Sequence, residues 1–129
     1  MGDASEEVER LATAVIDAAF AVFKVLGPPF PEQVYERALL VELEARGLKV
    51  KRQIDLPVRY RGVECGFGRL DLLVEDQLVV ELKACEAVSP KHLAQARSYL
   101  AAANLELALV INFGQAVLKD GIRRVILTR

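Results

Sequence analysis

The chain reads as one α/β (α+β) domain spanning residues 1–129, and three observations predict it. Apolar residues recur at helical spacing through the first third, an extended alternation fills the middle, and a capped helix then precedes an uninterrupted apolar run. The predicted order is α-α-β-β-β-α-β, with a short final strand. A chain of 129 residues can bury about two-thirds of the surface its unfolded form exposes, so a second independent domain is not expected.

The first helix is predicted over about residues 4–25, where Val8, Leu11, Val15, Ile16, Ala19, Phe20 and Phe23 share one face. "GPPFPE" stops it. Pro31 suits the first turn of a second helix, which runs to about Arg46 and ends at Gly47, where a left-handed residue is wanted. From Leu48 to Lys83 the pattern is extended and broken at "YRGV" and "VEDQ", which predicts three antiparallel strands joined by tight turns. Ser89 caps a third helix with Pro90 in its first turn, and that helix ends near Ala103. "LALVINF" is a buried strand and "RRVIL" a short last one.

Composition excludes several classes of function. No apolar run approaches the roughly 18 residues of a membrane span, and Met1–Glu7 is acidic without a signal-peptide pattern, so a cytoplasmic protein is expected. Cys65, Cys85 and His92 form neither a disulfide framework nor a zinc cluster of standard spacing. A net charge of −1 gives no overall basic excess for nucleic acid. "RGLKVKRQ" and "RYRG" still gather six basic residues, readable either as a solvated strand edge or as a phosphate-facing stripe. The broad apolar face from Val8 to Phe23 exceeds what one short sheet covers, which suggests a homodimer.

The stretch "GRLDLLVEDQLVVELKA" concentrates the chemistry. With the turn centred on Asp76, Val74 faces Leu78, Leu72 faces Val80, and Asp71 faces Glu81. Directly opposed carboxylates, with Cβ atoms roughly 5 Å apart, repel unless a positive charge lies between them. Lys83 points to the same face as Glu81. Such a group suits Mg²⁺, which takes one or two carboxylates and keeps several waters. The competing reading is a charged cluster on a solvated sheet face. A shift of register by one residue would separate the acids.

Other candidates lie on the helices. Glu32 opens the apolar stripe of Tyr35, Leu39 and Leu43, and it is either a site acid or a complement to the helix dipole; Glu36, one turn on, competes with it. Gln95 and Tyr99 flank the stripe of Leu93, Ala96 and Leu100, as pocket-rim groups or as ordinary boundary residues. His92 reads as a core-edge histidine.

The order Glu32, "RLD" ending at Asp71, "ELK" from Glu81 to Lys83 and "QARSY" from Gln95 to Tyr99 resembles the PD-(D/E)XK nuclease superfamily. More narrowly, "EQVYERAL", "VVELKA", "HLAQARSYL" and "VINFG" resemble its small GxxExxY proteins, over about Val22 to Leu127. The resemblance implies a restriction-endonuclease-like αβββαβ core, a mixed central sheet flanked by helices, with an extra N-terminal helix. It implies metal-dependent hydrolysis of phosphodiester bonds in DNA or RNA; of the two partners, DNA is expected in preference to RNA. Glu32, Asp71 and Glu81 would surround Mg²⁺ or Mn²⁺, Lys83 would assist the attacking water, and Gln95 and Tyr99 would hold the metal site or the strand. Pro29 stands where the family motif has glycine, and Phe23 where a histidine is common. The alternative on the same fold is an inactive module that binds nucleic acid or assembles with itself.

Overall fold

The computed structural model describes residues 4–127. Helix α1, Glu6–Leu26, begins at Ser5, whose hydroxyl accepts from the Val8 N–H, and three acids in its first turn complement the helix dipole. It ends at Gly27, whose φ of +63° suits glycine. Helix α2, Glu32–Ala45, starts one residue later than expected. Pro31 is its N-cap and not part of its first turn, because a φ of −58° with extended ψ is a cap geometry that the proline ring already favours. Gly47 is left-handed, as expected.

Strands β1 (Val50–Tyr60), β2 (Val63–Val74) and β3 (Leu78–Lys83) form an antiparallel meander. Arg61 and Gly62, both at positive φ, close the first hairpin as a two-residue turn. Helix α3, Pro90–Ala103, then crosses over to β4 (Leu107–Asn112), which pairs in parallel with β3, and β5 (Ile122–Ile126) returns antiparallel along β4. The sheet order is β1-β2-β3-β4-β5, a five-stranded mixed sheet flanked by helices, consistent with a restriction-endonuclease-like fold.

Each face of the sheet has its own core. Helices α1 and α2 cover one face, where Tyr35, Leu39, Leu43, Leu72, Leu82 and Phe113 are fully buried; α3 covers the other, packing Leu100 in one cluster with Leu70, Val79 and Val110. The face of α1 expected to need a second copy is covered within the chain by α2, β3 and β4. Phe20, expected in that face, is exposed at its border, while Ala12 and Ala18 are buried instead. Phe20 lies about 140° round the helix from Val15, the middle of the buried row, so its ring points away from the layer beneath.

The division into two faces is interrupted at one point on β2. Leu70 and Leu72 are two residues apart on that strand, yet they belong to cores on opposite faces. Opposite the intervening Asp71, between the pairs Arg52–Leu72 and Ile54–Leu70, stands Gln53 at φ +51°. A non-glycine residue there is strained by roughly 1–3 kcal/mol, and the alternation of both strands changes face at this point.

The ends of the fold are tied by Glu9 on α1, which accepts two hydrogen bonds from Arg124 on β5 at 2.8 and 2.9 Å. These bonds hold the Glu9 carboxyl below the usual carboxylate range. Its stabilisation is therefore present above the ordinary carboxylate pKa and lost as pH falls through the lowered one. Glu9→Gln is expected to cost about 0.2–1 kcal/mol in neutral urea titrations, with the difference vanishing in about 1 M salt and in acid.

Candidate active site

The β2–β3 ladder runs Val74–Leu78, Leu73–Val79 and Leu72–Val80, the register read from the sequence. It stops there. At the next position the acids take over from the backbone: the Leu82 N–H donates to Asp71 Oδ2 at 2.7 Å, and the Asp71 N–H donates to Glu81 Oε2 at 3.3 Å. The two side chains thus fill the fork between diverging strands, each bonded to the other strand's main chain.

Glu81 lies in the row Val79–Glu81–Lys83 that faces α3, and it is 7% exposed. Burial first, then the charge of Asp71, pushes its carboxyl up to about 9. Its second oxygen, Oε1, is buried and has no hydrogen-bond partner among the described residues. A buried carboxylate oxygen without a donor carries a desolvation cost that a cation would remove. The acid pair therefore fits a divalent ion.

Glu32 stands at the first turn of α2, which is held from below. The Tyr35 hydroxyl donates to the Gly27 carbonyl and accepts from the Phe30 N–H, while its ring stacks on Phe113 at 4.5 Å. Phe23 packs its ring against the same Phe113. Partial burial and the negative charge of Asp71 raise the Glu32 carboxyl, with Lys83 acting in the opposite sense, so these three groups share one electrostatic environment. Among the described residues, however, no three carboxylate, imidazole or thiol groups cluster closely enough to hold a metal between them. Glu32 does not close a three-carboxylate cage with Asp71 and Glu81.

Its competitor Glu36 is engaged elsewhere. It is buried and accepts from Arg52 at 3.0 and 3.3 Å and from the side-chain amide of Gln53. Glu32, Gln33, Glu36, Arg52 and Gln53 line an open cavity of about 390 Å³. In the basic run from Arg46 to Gln53, Arg46 at the end of α2 pairs with Glu42 and Lys51 on β1 pairs with Asp76, which supports the solvated-edge reading for that run.

On α3, Tyr99 lies over the backbone of β2: a Cβ added at Gly68 would sit 2.6 Å from its Cε1. Gln95 is exposed one turn earlier and makes no hydrogen bond among the described residues. His92 is not merely a core-edge residue. It completes a capping box with Ser89, its Nδ1 accepting from the Ser89 N–H, and partial burial followed by the charges of Lys83 and Lys91 lowers its pKa. That bond places the neutral imidazole's proton on Nε2.

Several supporting residues escaped the sequence reading. Asn112, fully buried beside Lys83 in the β3–β4 register, uses both amide atoms: it donates to the Cys85 carbonyl and Gln115 and accepts from the Cys85 and Gly114 N–H groups. This clamp fixes the chain just after Lys83. A lone asparagine closing an apolar strand was its signal. Gly68 could have been flagged as a glycine inside a strand, which marks close approach by another group. Nothing in the residue type of Gln53 announces its backbone.

A mixed sheet whose central hairpin forks around two carboxylates, with a lysine two residues beyond one of them, defines a class of sheet-built acid sites. The sequence profile of the PD-(D/E)XK nuclease superfamily matches residues 9–125, and the chain belongs to that superfamily. Membership implies a nucleic-acid substrate, and nucleases of this superfamily generally use divalent metals. No curated protein and no solved structure matches the chain. Among the described residues no helix is long and apolar enough to cross a membrane.

The raised carboxyl of Glu81 has a consequence for stability. It holds its proton more tightly when folded, so the stabilisation is complete below about 4.5 and is lost as pH rises toward about 9. In chelator, Glu81→Gln is expected to melt several degrees above the parent at pH 8, with a gap that closes toward pH 5. Mn²⁺ should raise the melting temperature of the parent alone.

Proposed function

We propose that the protein is a divalent-metal-dependent nuclease, using Mg²⁺ or Mn²⁺ and acting in the cytoplasm on DNA in preference to RNA. Within its superfamily we assign it to the GxxExxY group, on the motifs around Glu32, Glu81 and Gln95. The observation that carries the reading is the interlocked pair of Asp71 and Glu81 with the unpartnered Glu81 Oε1.

Asp71 and Glu81 are the residues that would hold the ion, and two carboxylates with waters satisfy Mg²⁺ without a third. Glu32 adds negative charge from the α2 side. A divalent cation bound there supplies Lewis acidity to a phosphodiester oxygen and acidifies water. Lys83, within electrostatic reach of Glu32 and Glu81, orients the attacking water and offsets charge on the phosphate. Tyr99, anchored over Gly68, and Gln95, free at the rim, position the strand or steady the metal site.

A non-catalytic module on the same fold is the second reading, favoured by the lack of a third grouped ligand. Two measurements separate them. Calorimetric titration with Mn²⁺ is expected to show binding that Asp71→Ala abolishes. Cleavage of a mixed panel of nucleic acids is expected to fall at least about 100-fold in Lys83→Ala. Metal binding without cleavage by the parent would leave the module reading.

The homodimer is also a proposal, resting now on the apolar groove between α1 and α2 where Val25 and Val41 are exposed. Sedimentation is expected to show a concentration-dependent dimer that Val25→Glu disrupts; a monomer at every concentration would end the idea.

A further inference from the structure

The hairpin of β1 and β2 outruns the sheet. β2 pairs with β3 only from Leu72 to Val74, so from Val63 to Asp71 its strand partner is β1. The inner part of this ribbon lies under α3: Ile54 and Leu56 pack there and Gly68 lies beneath Tyr99. The outer part is bare. Val58, Tyr60, Val63 and Phe67 are 42%, 69%, 63% and 66% exposed. Val58 and Tyr60 continue the row of Ile54 and Leu56, on the side of the sheet to which Glu81 and Lys83 belong.

Charge at the tip differs from charge elsewhere on β1. Arg61 has no ion pair among the described residues, and Arg59 is held only loosely by Glu64, at 3.8 Å. The two-residue turn keeps the strands paired out to Tyr60 and Val63, so the tip remains a two-stranded ribbon. Cys65 is left over between the Val58–Gly66 and Arg59–Glu64 pairs, a bulge that increases the ribbon's twist.

We infer that this arm seats duplex DNA by entering its major groove, an assignment that rests on the nuclease reading and specifies its substrate. The B-form major groove, about 12 Å wide, admits a two-stranded ribbon. The deep, narrow major groove of A-form RNA does not. Arg59 and Arg61 supply cations for phosphates or guanine edges, and Tyr60 and Val63 supply apolar contact for thymine methyls. From Val63 to Asp71 the strand spans about 26 Å at 3.3 Å per residue, less than one turn of B-DNA. The arm therefore needs somewhat less than one helical turn of duplex on one side of the scissile bond.

The test measures anisotropy of a labelled DNA duplex of about two helical turns. The parent is the Lys83→Ala protein in Mg²⁺, and Lys24→Ala, an exposed charge on α1, serves as control. Adding Arg59→Ala with Arg61→Ala is expected to weaken binding at least tenfold and to flatten the slope of log K against log salt by about 1.8, two phosphate contacts' worth. Adding Tyr60→Ala with Val63→Ala is expected to weaken binding about tenfold with the slope unchanged. Control and parent should bind alike, duplex RNA should compete poorly, and all variants should melt as the parent does. Undiminished DNA binding by the arm variants would overturn the arm and leave the nuclease reading standing. A parent that binds no nucleic acid would overturn both. Equal competition by duplex RNA, or arm variants that change the sedimentation of the free protein, would overturn the assignment in favour of a different polymer or a self-interface.

Discussion

The N–H groups of Asp71 and Leu82 donate to carboxylates instead of to carbonyls, and that exchange holds β2 and β3 together where their ladder has already ended. An open sheet fork would leave both donors unpaired in a half-buried place. Filling it with acids satisfies the backbone and concentrates negative charge in the same step. The elements nearby serve this fork: α2 brings Glu32 to it, α3 covers its far side with Tyr99, and Asn112 fixes the chain beyond Lys83.

The arrangement opposes stability to chemistry. A buried carboxyl with one unpartnered oxygen is an unfavourable core element, and a leucine or glutamine would serve packing better. Gln53 adds backbone strain across from Asp71. Both features sit at one point of an otherwise regular sheet, whose β3 and β4 strands are almost wholly buried. Local sacrifice of this kind is what a working site looks like within a well-packed scaffold.

How much of this was legible beforehand depended on period and turn. The hairpin register could be read because "VEDQ" sits between two apolar runs and fixes which residues oppose, so the neighbourhood of Asp71 and Glu81 followed. The placement of Tyr35, Leu39 and Leu43 followed from helical period. Phe20 misled because the stripe was drawn too wide: five residues from Val15, it stands off the arc that the fold covers. The choice between Glu32 and Glu36 was illegible, since it turns on Arg52 and Gln53, partners sixteen and seventeen residues beyond Glu36. The roles of His92 and Asn112 were hidden similarly, because both are defined by backbone groups that only the folded chain brings near.

The two acids of the fork belong to mechanically different parts of the molecule. Glu81 is built into β3 and stiffened there by the parallel ladder to β4. Asp71 lies on β2 just outside the three residue pairs that join it to β3, at the root of a long ribbon. Between that root and the bare tip the ribbon is packed under α3, through Ile54, Leu56 and the close approach of Tyr99 to Gly68. Asp71 therefore sits between two clamps, the β2–β3 pairs on one side and the α3 packing on the other, and its carboxylate is tied across the fork to the Leu82 N–H. The spacing of the two acids is a joint property of β2, β3 and α3, and not of the hairpin alone.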